Sequence, residues 1–170
     1  MIKTNLKKVY VWCSPRDAPG KDFVPNGQAN VTSLLLTSDI IKFKIFKPKI
    51  INIIFHSFSL YWHLIIDKQP IYIVSSRSVI GFLRDLPALL TVIFNIKVYC
   101  HIHGSDLNLL LNNKLIGNLA IFLYKKVSKI IVPTEYALKD VKSLKNKNHQ
   151  KVIIPNPVLF VNKQFNKKTF

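Results

Sequence analysis

Short runs of apolar, mostly β-branched residues alternate along the chain with longer segments in which apolar residues recur at helical spacing. Within the short runs, polar residues rarely alternate with apolar ones, which is typical of strands covered on both faces. These runs are Val9–Cys13, Ile71–Ser75, Lys97–Ile102, Lys129–Val132 and Val152–Ile154. Each of them predicts a short strand.

Four longer segments predict helices. They are Lys49–Ile66, Val79–Phe94, Lys114–Lys126 and Glu135–Lys145. A kink is expected in the second before Pro87, and Thr134 is placed to cap the last. Val31–Thr37 is predicted either as a strand or as the start of a helix. Because strands alternate with helices, we predict an α/β fold, with a Rossmann-like, doubly wound, mostly parallel sheet and helices on both faces.

The chain of 170 residues suits one α/β domain, and its charge is strongly positive. The formal net charge is +17, from 25 basic and 8 acidic side chains. Such an excess favours anionic partners, namely nucleic acid, nucleotide phosphates or an acidic membrane face. Only 3 of the basic residues are arginine, which recognises nucleic-acid bases better than lysine does. The aromatic residues, on which bases would stack, lie mostly in apolar runs. Nucleic acid is therefore not the expected partner, whereas a peripheral contact with an anionic membrane is.

Two apolar segments are long enough to raise the question of a membrane span. Ile50–Ile66 carries several polar side chains and ends at Asp67, short of the ~20 residues that a span prefers. Val79–Ile102 is interrupted by Arg84 and Asp85, which are costly inside a membrane. Buried helices and parallel strands account for both segments, so no span is predicted.

The cysteines and the first residues bear on where the protein resides. Cys13 and Cys100 both fall in apolar runs and are expected to be buried thiols in a reducing compartment. The apolar run near the N-terminus is too short for a signal peptide. A cytoplasmic location is therefore expected, with peripheral contact to the inner face of the plasma membrane.

Four segments follow predicted strands at the edge where doubly wound sheets bind ligands. They are Pro15–Asn30, Ser75–Val79, His103–Leu107 and Pro133–Glu135. In the first, Gly20 and Gly27 would let the backbone approach a ligand, or they serve an ordinary surface turn. The glycine patterns of dinucleotide sites and P-loops do not occur in the sequence, so neither kind of site is predicted.

The segment YCHIHGSDL ends one predicted strand and carries several polar, reactive side chains. On a strand, His101 and His103 point to one face and Cys100 to the other, so no metal site is predicted. At the strand end, His103 would hydrogen-bond a sugar hydroxyl or a phosphate, or it serves a structural role. Asp106 accepts from hydroxyls or caps the next helix, and Ser105 lacks the context of a nucleophile elbow.

Three successive segments carry the order and separation of motifs of a known enzyme family. VYCHIHGSDL ends a strand in His103–Asp106, KKVSKIIVPTEYALKDVKSL leads from a strand through Thr134 into a helix, and KVIIPNPV places Asn156 between two prolines after a strand. This succession resembles the N-terminal domain of family-4 retaining glycosyltransferases, over about residues 70–158. Residues 1–69 match only weakly, and their first loop has two separated glycines in place of the family's Gly-Gly pair.

The resemblance implies one half of a two-domain enzyme of the GT-B fold, in which the N-terminal half binds the acceptor and the C-terminal half holds the nucleotide-sugar donor. The N-terminal domain is expected over residues 1–158, followed by a basic tail or linker stub over 159–170, with the donor-binding domain absent. Matching positions place His103 near the reacting sugar, as the catalytic residue. The implied substrate-binding residues are Gly20, Gly27, Gly104, Ser105, Asp106, Thr134 and Asn156. A helix cap for Thr134 and a turn for Asn156 are the alternatives.

The predicted function is transfer of a sugar from a nucleotide-diphosphate donor to a polysaccharide or lipid-linked acceptor, with retention of the anomeric configuration. No cofactor or metal is expected beyond the donor substrate. The expected partners are the nucleotide-sugar, the acceptor and a separate donor-binding domain. The chain is then an inactive truncation, half of a split enzyme or a free-standing binding module. The alternative function is a non-enzymatic basic module that binds a membrane surface or nucleic acid.

Overall fold

The computed structural model describes residues 7–17, 32, 41–103, 107–141, 144 and 150–155. Within these residues the strands are β1 Lys7–Trp12, β2 Ile41–Phe46, β3 Ile71–Ser75, β4 Val98–Ile102, β5 Lys129–Val132 and β6 Gln150–Ile153. The α-helices are α1 Ile53–Ile66, α2 Val79–Leu90, α3 Leu107–Leu111, α4 Gly117–Lys126 and α5 Glu135–Asp140. Short 3-10 turns cover Pro15–Asp17, Ile50–Asn52 and Thr91–Phe94.

The six strands form one parallel sheet in the order β2-β1-β3-β4-β5-β6. From β1 the chain passes to one side to form β2, then returns to the other side for β3 and continues outwards to β6. In the register, Trp12 of β1 lies between Phe46 of β2 and Ile73 of β3. This is one of the two common strand orders of doubly wound sheets, so the predicted α/β class with a Rossmann-like parallel sheet is confirmed.

The main hydrophobic core lies on one face of the sheet, and all five described helices contribute to it. Trp12 and Ile73 contribute to it from the strands, and Leu60 contributes to it from α1. A smaller cluster on the opposite face contains Val11, Cys13 and Val74, with Phe43, Ile45 and Tyr72 packed beside them. Because the central strands are buried on both faces, their sequences are continuously apolar rather than alternating.

Five strands lie where the apolar runs predict them, with ends that differ by at most two residues. The strand that was not predicted is β2, in which Lys42 and Lys44 alternate with apolar residues. That alternation is typical of a strand with one face open to solvent. It fits the position of β2 at the border of the described sheet, where Lys42 is exposed.

The helices are shorter than the sequence predicts. Helix α1 begins at Ile53, after a 3-10 turn, and α5 ends at Asp140, five residues before the predicted end at Lys145. Thr32 is helical, which favours the helical alternative for Val31–Thr37 at that one residue. The other residues of that segment lie outside the part of the chain that the structure describes.

Helix α1 is apolar on two sides. Leu60 and Leu64 are buried against the sheet, and the hydroxyl of Tyr61 donates to the carbonyl oxygen of Pro87 in α2 at 2.8 Å. On the opposite side, large apolar residues such as Phe55 are exposed. The expectation of a buried helix therefore applies to one side of α1 only. No helix in the described part of the chain is both long and apolar enough to cross a membrane.

Candidate functional site

The strand order reverses between β1 and β3, and a cleft opens there at the carboxyl ends of the strands. In open parallel sheets this reversal point is where ligands bind, because it leaves a crevice beyond the strand ends. The cleft has a volume of about 530 Å³. It is lined by Ser14, Pro15 and Arg16 after β1, by Pro48, Lys49 and Ile50 after β2, by Ser76 and Ser78 after β3, and by Ile80, Gly81 and Arg84 of α2. We call it the edge cleft.

The turn from β3 into α2 forms one wall of the edge cleft. The hydroxyl of Ser78 caps the helix, accepting a hydrogen bond from the backbone N–H of Gly81 at 3.0 Å. A Cβ added to Gly81 would lie 1.8 Å from Oγ of Ser76, so only glycine fits without a shift of that serine. The hydroxyl oxygens of Ser76 and Ser78 lie 3.3 Å apart in this wall.

A buried ion pair lies beneath this wall. The carboxylate of Asp85 is fully buried and accepts hydrogen bonds from the backbone N–H of Ser76 at 2.9 Å and from Nε of Arg84 at 2.8 Å. The arginine side chain is 13% exposed, and its Nη2 also lies 2.8 Å from Oδ1 of Asp85. Burial raises the pKa of Asp85, and the guanidinium of Arg84 opposes that shift. The ion pair therefore joins α2 to the end of β3 and holds Arg84 at the edge cleft.

The edge cleft is positively charged. Arg16, Lys49 and Arg84 line it from three separate parts of the chain, and no acidic side chain lines it within the described ranges. Arg16 and Lys49 are exposed. Serine hydroxyls and the amino end of α2 add further hydrogen-bond donors. Such a set of donors around a concave site suits a ligand that bears phosphate or hydroxyl groups.

A second, smaller cleft of about 360 Å³ lies on the other side of the same turn. It is lined by Ser76, Arg77, Ser78, Val79, Leu109 and Leu110. Because the two clefts share Ser76 and Ser78, they border one concave edge that extends from the end of β2 to α3. Helix α3 follows directly on the His103–Asp106 motif, so this edge reaches the neighbourhood of that motif.

His103 is buried at the end of β4, on the face of the sheet opposite to the main core. Its ring stacks on that of His101, with 4.0 Å between the ring centroids and 29° between the planes. The hydroxyl of Tyr72 on β3 is hydrogen-bonded to Nδ1 of His101. Burial, and secondly the neighbouring His103, lower the pKa of His101 to about 3, so this imidazole is neutral near neutral pH.

Cys100 points away from the two histidines, as strand alternation predicts. It belongs to the main core, and burial raises the pKa of its thiol to about 12. A protonated thiol is a poor metal ligand and a poor nucleophile. Within the residues that the structure describes, no group of three or more His, Cys, Asp or Glu side chains is arranged to hold a metal ion.

His103 does not line the edge cleft, but it lies close to it along the sheet edge. Ser75 of β3 pairs with Ile102 of β4, so Ser76 and His103 follow their strands at the same level. Neighbouring strands are about 4.8 Å apart. The histidine side chain points to the opposite face, whereas the edge cleft opens on the helix side.

Thr134 caps α5. Its hydroxyl accepts a hydrogen bond from the backbone N–H of Ala137 at 3.1 Å, and the backbone of Thr134 is extended, as expected of a residue before a helix. The predicted cap is confirmed. Thr134 does not line either cleft at the carboxyl edge, so its predicted contact with substrate stays a prediction.

Replacing Thr134 with alanine is expected to lower the free energy of unfolding by about 1 kcal/mol, because the N–H of Ala137 loses its acceptor. Urea unfolding followed by circular dichroism measures this change. Thr134→Ser is the matched control, since it keeps the hydroxyl, and it should restore most of the stability. Equal losses in both variants would contradict a capping role.

The remaining predicted site residues, Gly20, Gly27, Gly104, Ser105, Asp106 and Asn156, lie outside the described residues, as does the predicted tail over 159–170. The residues that sequence reasoning missed are Lys49 and Arg84, together with the partner of the latter, Asp85. The only signal for Arg84 and Asp85 was that they form a charged pair inside an otherwise apolar helix. Comparison of the chain with protein-family models, curated proteins and solved structures found no match in any of the three.

Proposed function

We propose that this chain is the acceptor-side half of a retaining glycosyltransferase that moves a sugar from a nucleotide-diphosphate donor to a polysaccharide or lipid-linked acceptor. One observation carries the proposal. The residues of the glycosyltransferase-like motifs follow neighbouring parallel strands at a single edge of the sheet: His103 follows β4, Thr134 follows β5 and Pro155, next to Asn156, follows β6. The edge cleft opens at the same edge.

In this proposal the edge cleft receives the acceptor. Its serine hydroxyls suit the hydroxyl groups of a glycan, and Arg16 and Lys49 suit a phosphate that links the glycan to a lipid. Arg84 has less freedom, because the buried carboxylate of Asp85 holds it. A preorganised cation of this kind favours a developing negative charge, such as that of a leaving diphosphate.

His103 is the residue that the proposal places next to the reacting sugar. Its ring is fixed by stacking on His101, so its direction is set before substrate arrives. Because His101 stays neutral down to strongly acidic pH, the stacked pair carries at most the charge of His103 near neutral pH. Contact with a sugar hydroxyl at the donor–acceptor boundary would have to be made past the end of β4, because the ring is buried and points away from the edge cleft.

In this proposal the donor is held by a second Rossmann-like domain, as the resemblance implies. The test is transfer of radiolabelled sugar from a panel of nucleotide-sugars to membrane acceptors. It is run with the chain alone and again with the polypeptide encoded immediately downstream. Transfer that requires both polypeptides would support the proposal. The absence of transfer in both arms would contradict it, and transfer by the chain alone would show that the donor site lies within it.

In the active combination, Arg16→Glu is expected to raise the KM for an anionic acceptor by about tenfold to a hundredfold, because a charge-assisted hydrogen bond contributes about 1.5–3 kcal/mol. Arg16 is exposed, so the fold should be unaffected. Lys97→Glu makes the same change of charge at an exposed residue that precedes β4, at the opposite edge of the sheet. An equal rise of KM in both variants would show a long-range charge effect and remove the edge cleft from the proposal.

A further inference from the structure

One side of α1 exposes a continuous apolar surface. It is formed by Ile51, Ile54, Phe55, Phe58, Trp62, Ile65 and Ile66, each between 57% and 92% exposed. At about 100° per residue, these positions fall within an arc of roughly 120° on the helix. We call this surface the α1 outer face. The buried residues Leu60 and Leu64 lie on the opposite side of the helix.

The α1 outer face is larger than chance exposure explains. Its three aromatic side chains are each more than half exposed. At about 150–250 Å² per aromatic residue, they alone present roughly 300–500 Å². The largest apolar patch of a typical monomer is about 300–600 Å² in total, and four isoleucines add to the area here. A surface of this size is expected to be covered by something in the working protein.

Lysine residues predominate around the α1 outer face. Lys47 and Lys49 precede the helix, and Lys68 follows it. Lys42 and Lys44 lie on the adjoining border strand β2, on the sheet face that α1 covers, since Nζ of Lys44 contacts the imidazole of His63 in α1. Between residues 40 and 68 the sequence contains one acidic residue, Asp67, which directly follows the helix and pairs with Lys8. An apolar strip within a ring of ammonium groups complements a surface that is apolar inside and anionic at its border.

We propose that the α1 outer face docks on an anionic lipid bilayer, with α1 lying in the plane of the interface. Phenylalanine, isoleucine and tryptophan side chains enter the boundary between headgroups and acyl chains, and the lysines contact lipid phosphates. Trp62 suits that boundary, because indole prefers the interface to either water or hydrocarbon. The helix has 14 residues and a length of about 21 Å, so it lies on the bilayer rather than across it.

Charge argues for lipid over a second copy of this chain. A symmetric dimer through the α1 outer face would bring two predominantly basic borders together, and the carboxylate of Asp67 beside each of them is already paired with Lys8, so charge opposes association. Anionic headgroups neutralise the same border instead. The net charge of +17 adds a long-range attraction to such a membrane.

Docking in this orientation has a geometric consequence. Lys49 and Ile50 directly precede Ile51, the first residue of the α1 outer face, and both line the edge cleft. A docked molecule would therefore hold the mouth of the edge cleft at the headgroup layer. The docking itself does not depend on the proposed transferase activity, and its test requires no sugar transfer.

The first measurement is vesicle flotation with the full chain. Vesicles of phosphatidylcholine alone are compared with vesicles of phosphatidylcholine and phosphatidylglycerol in equal parts. The chain is expected to float with the second kind only. Tryptophan fluorescence should shift to the blue on binding, because Trp62 is exposed and Trp12 is already buried. Failure to float with the anionic vesicles overturns the proposal.

The second measurement uses two matched triple variants. Phe55→Ser, Phe58→Ser and Trp62→Ser together should weaken partition to the anionic vesicles roughly tenfold or more, since the apolar insertion is lost. The control variant carries serine in place of Leu115, Phe122 and Tyr136, three apolar residues elsewhere on the surface that are also exposed. This control should bind the anionic vesicles as the wild type does. Equal weakening in both variants overturns the proposal. Sedimentation gives a further check. If the wild type is a dimer and the first variant is a monomer, the proposal is overturned, because a second copy then covers the α1 outer face.

Discussion

The Asp85→Ala variant is expected to lose about 3–5 kcal/mol of its free energy of unfolding. The carboxylate is fully buried and receives the N–H of Ser76 and the guanidinium of Arg84. Its removal leaves a largely buried cation without this counter-charge and a backbone donor without this acceptor. Since a domain of this size has a total stability of about 5–15 kcal/mol, this loss is a large fraction of it, and the variant should unfold at a clearly lower urea concentration than the wild type.

Urea unfolding of purified variants measures this loss. Lys8→Met is the matched control, because Lys8 also pairs with a carboxylate, that of Asp67 at 2.7 Å, but both side chains are partly exposed, and the hydrogen bond from the hydroxyl of Tyr10 to Asp67 is kept. That variant should lose far less stability than Asp85→Ala, because solvent screens an exposed ion pair. In the double variant Arg84→Met and Asp85→Leu, most of the stability should return, since no unpaired charge remains. A loss below about 1 kcal/mol in Asp85→Ala would contradict the structural role assigned to the pair.

Acid is expected to destabilise the protein through His101. Burial, with the nearby His103, lowers its pKa from 6.5 to about 3 in the folded state. In the window between these values the unfolded chain binds a proton that the folded chain does not. The stabilising contribution is therefore complete above pH 6.5 and is lost as the pH falls towards 3. The slope in this window is about 1.4 kcal/mol per pH unit, so the total reaches a few kcal/mol.

Urea unfolding at a series of pH values tests this expectation. His101→Gln removes the titrating group, and its stability should fall less steeply between pH 6.5 and 3 than that of the wild type. His56→Gln is the control, because burial also lowers the pKa of His56, but this side chain is only partly buried. The same pH dependence in the wild type and in His101→Gln would rule out His101 as the source. An NMR titration of the imidazole provides a direct measurement.

Most of the fold could be predicted, because it depends on patterns that are local in the sequence. Continuous apolar runs identified five strands, and alternation placed His101 and Cys100 on opposite faces correctly. The prediction missed β2, because Lys42 and Lys44 interrupt its apolar pattern. For α1, periodicity could not show which apolar side chains face the sheet and which face solvent, because both sides of the helix are apolar.

The candidate site was harder to predict, because its parts meet only through the strand order. The rule that ligands bind beyond the carboxyl ends of parallel strands selected the segments that contain Arg16 and Ser76. It did not select the segment that contains Lys49, because β2 was not predicted. The bond between Ser76 and Asp85 spans a strand-to-helix turn whose geometry the sequence does not display. By contrast, Thr134 caps a helix that begins at the next residue, and this local relation was predicted correctly.

The topology of the parallel sheet also limits the order in which the parts of the fold can form. Tyr10 of β1 pairs with Ile71 of β3, and both β2 and α1 lie between these two residues in the sequence. Because the two strands are parallel, a local hairpin cannot bring them together. Closing so long a loop is slow compared with forming the helix between the two strands. During synthesis β1 and β2 emerge before β3, so β3 does not yet cover their apolar side chains. The edge cleft, which requires the ends of both β1 and β3, cannot take shape until this central pairing has formed.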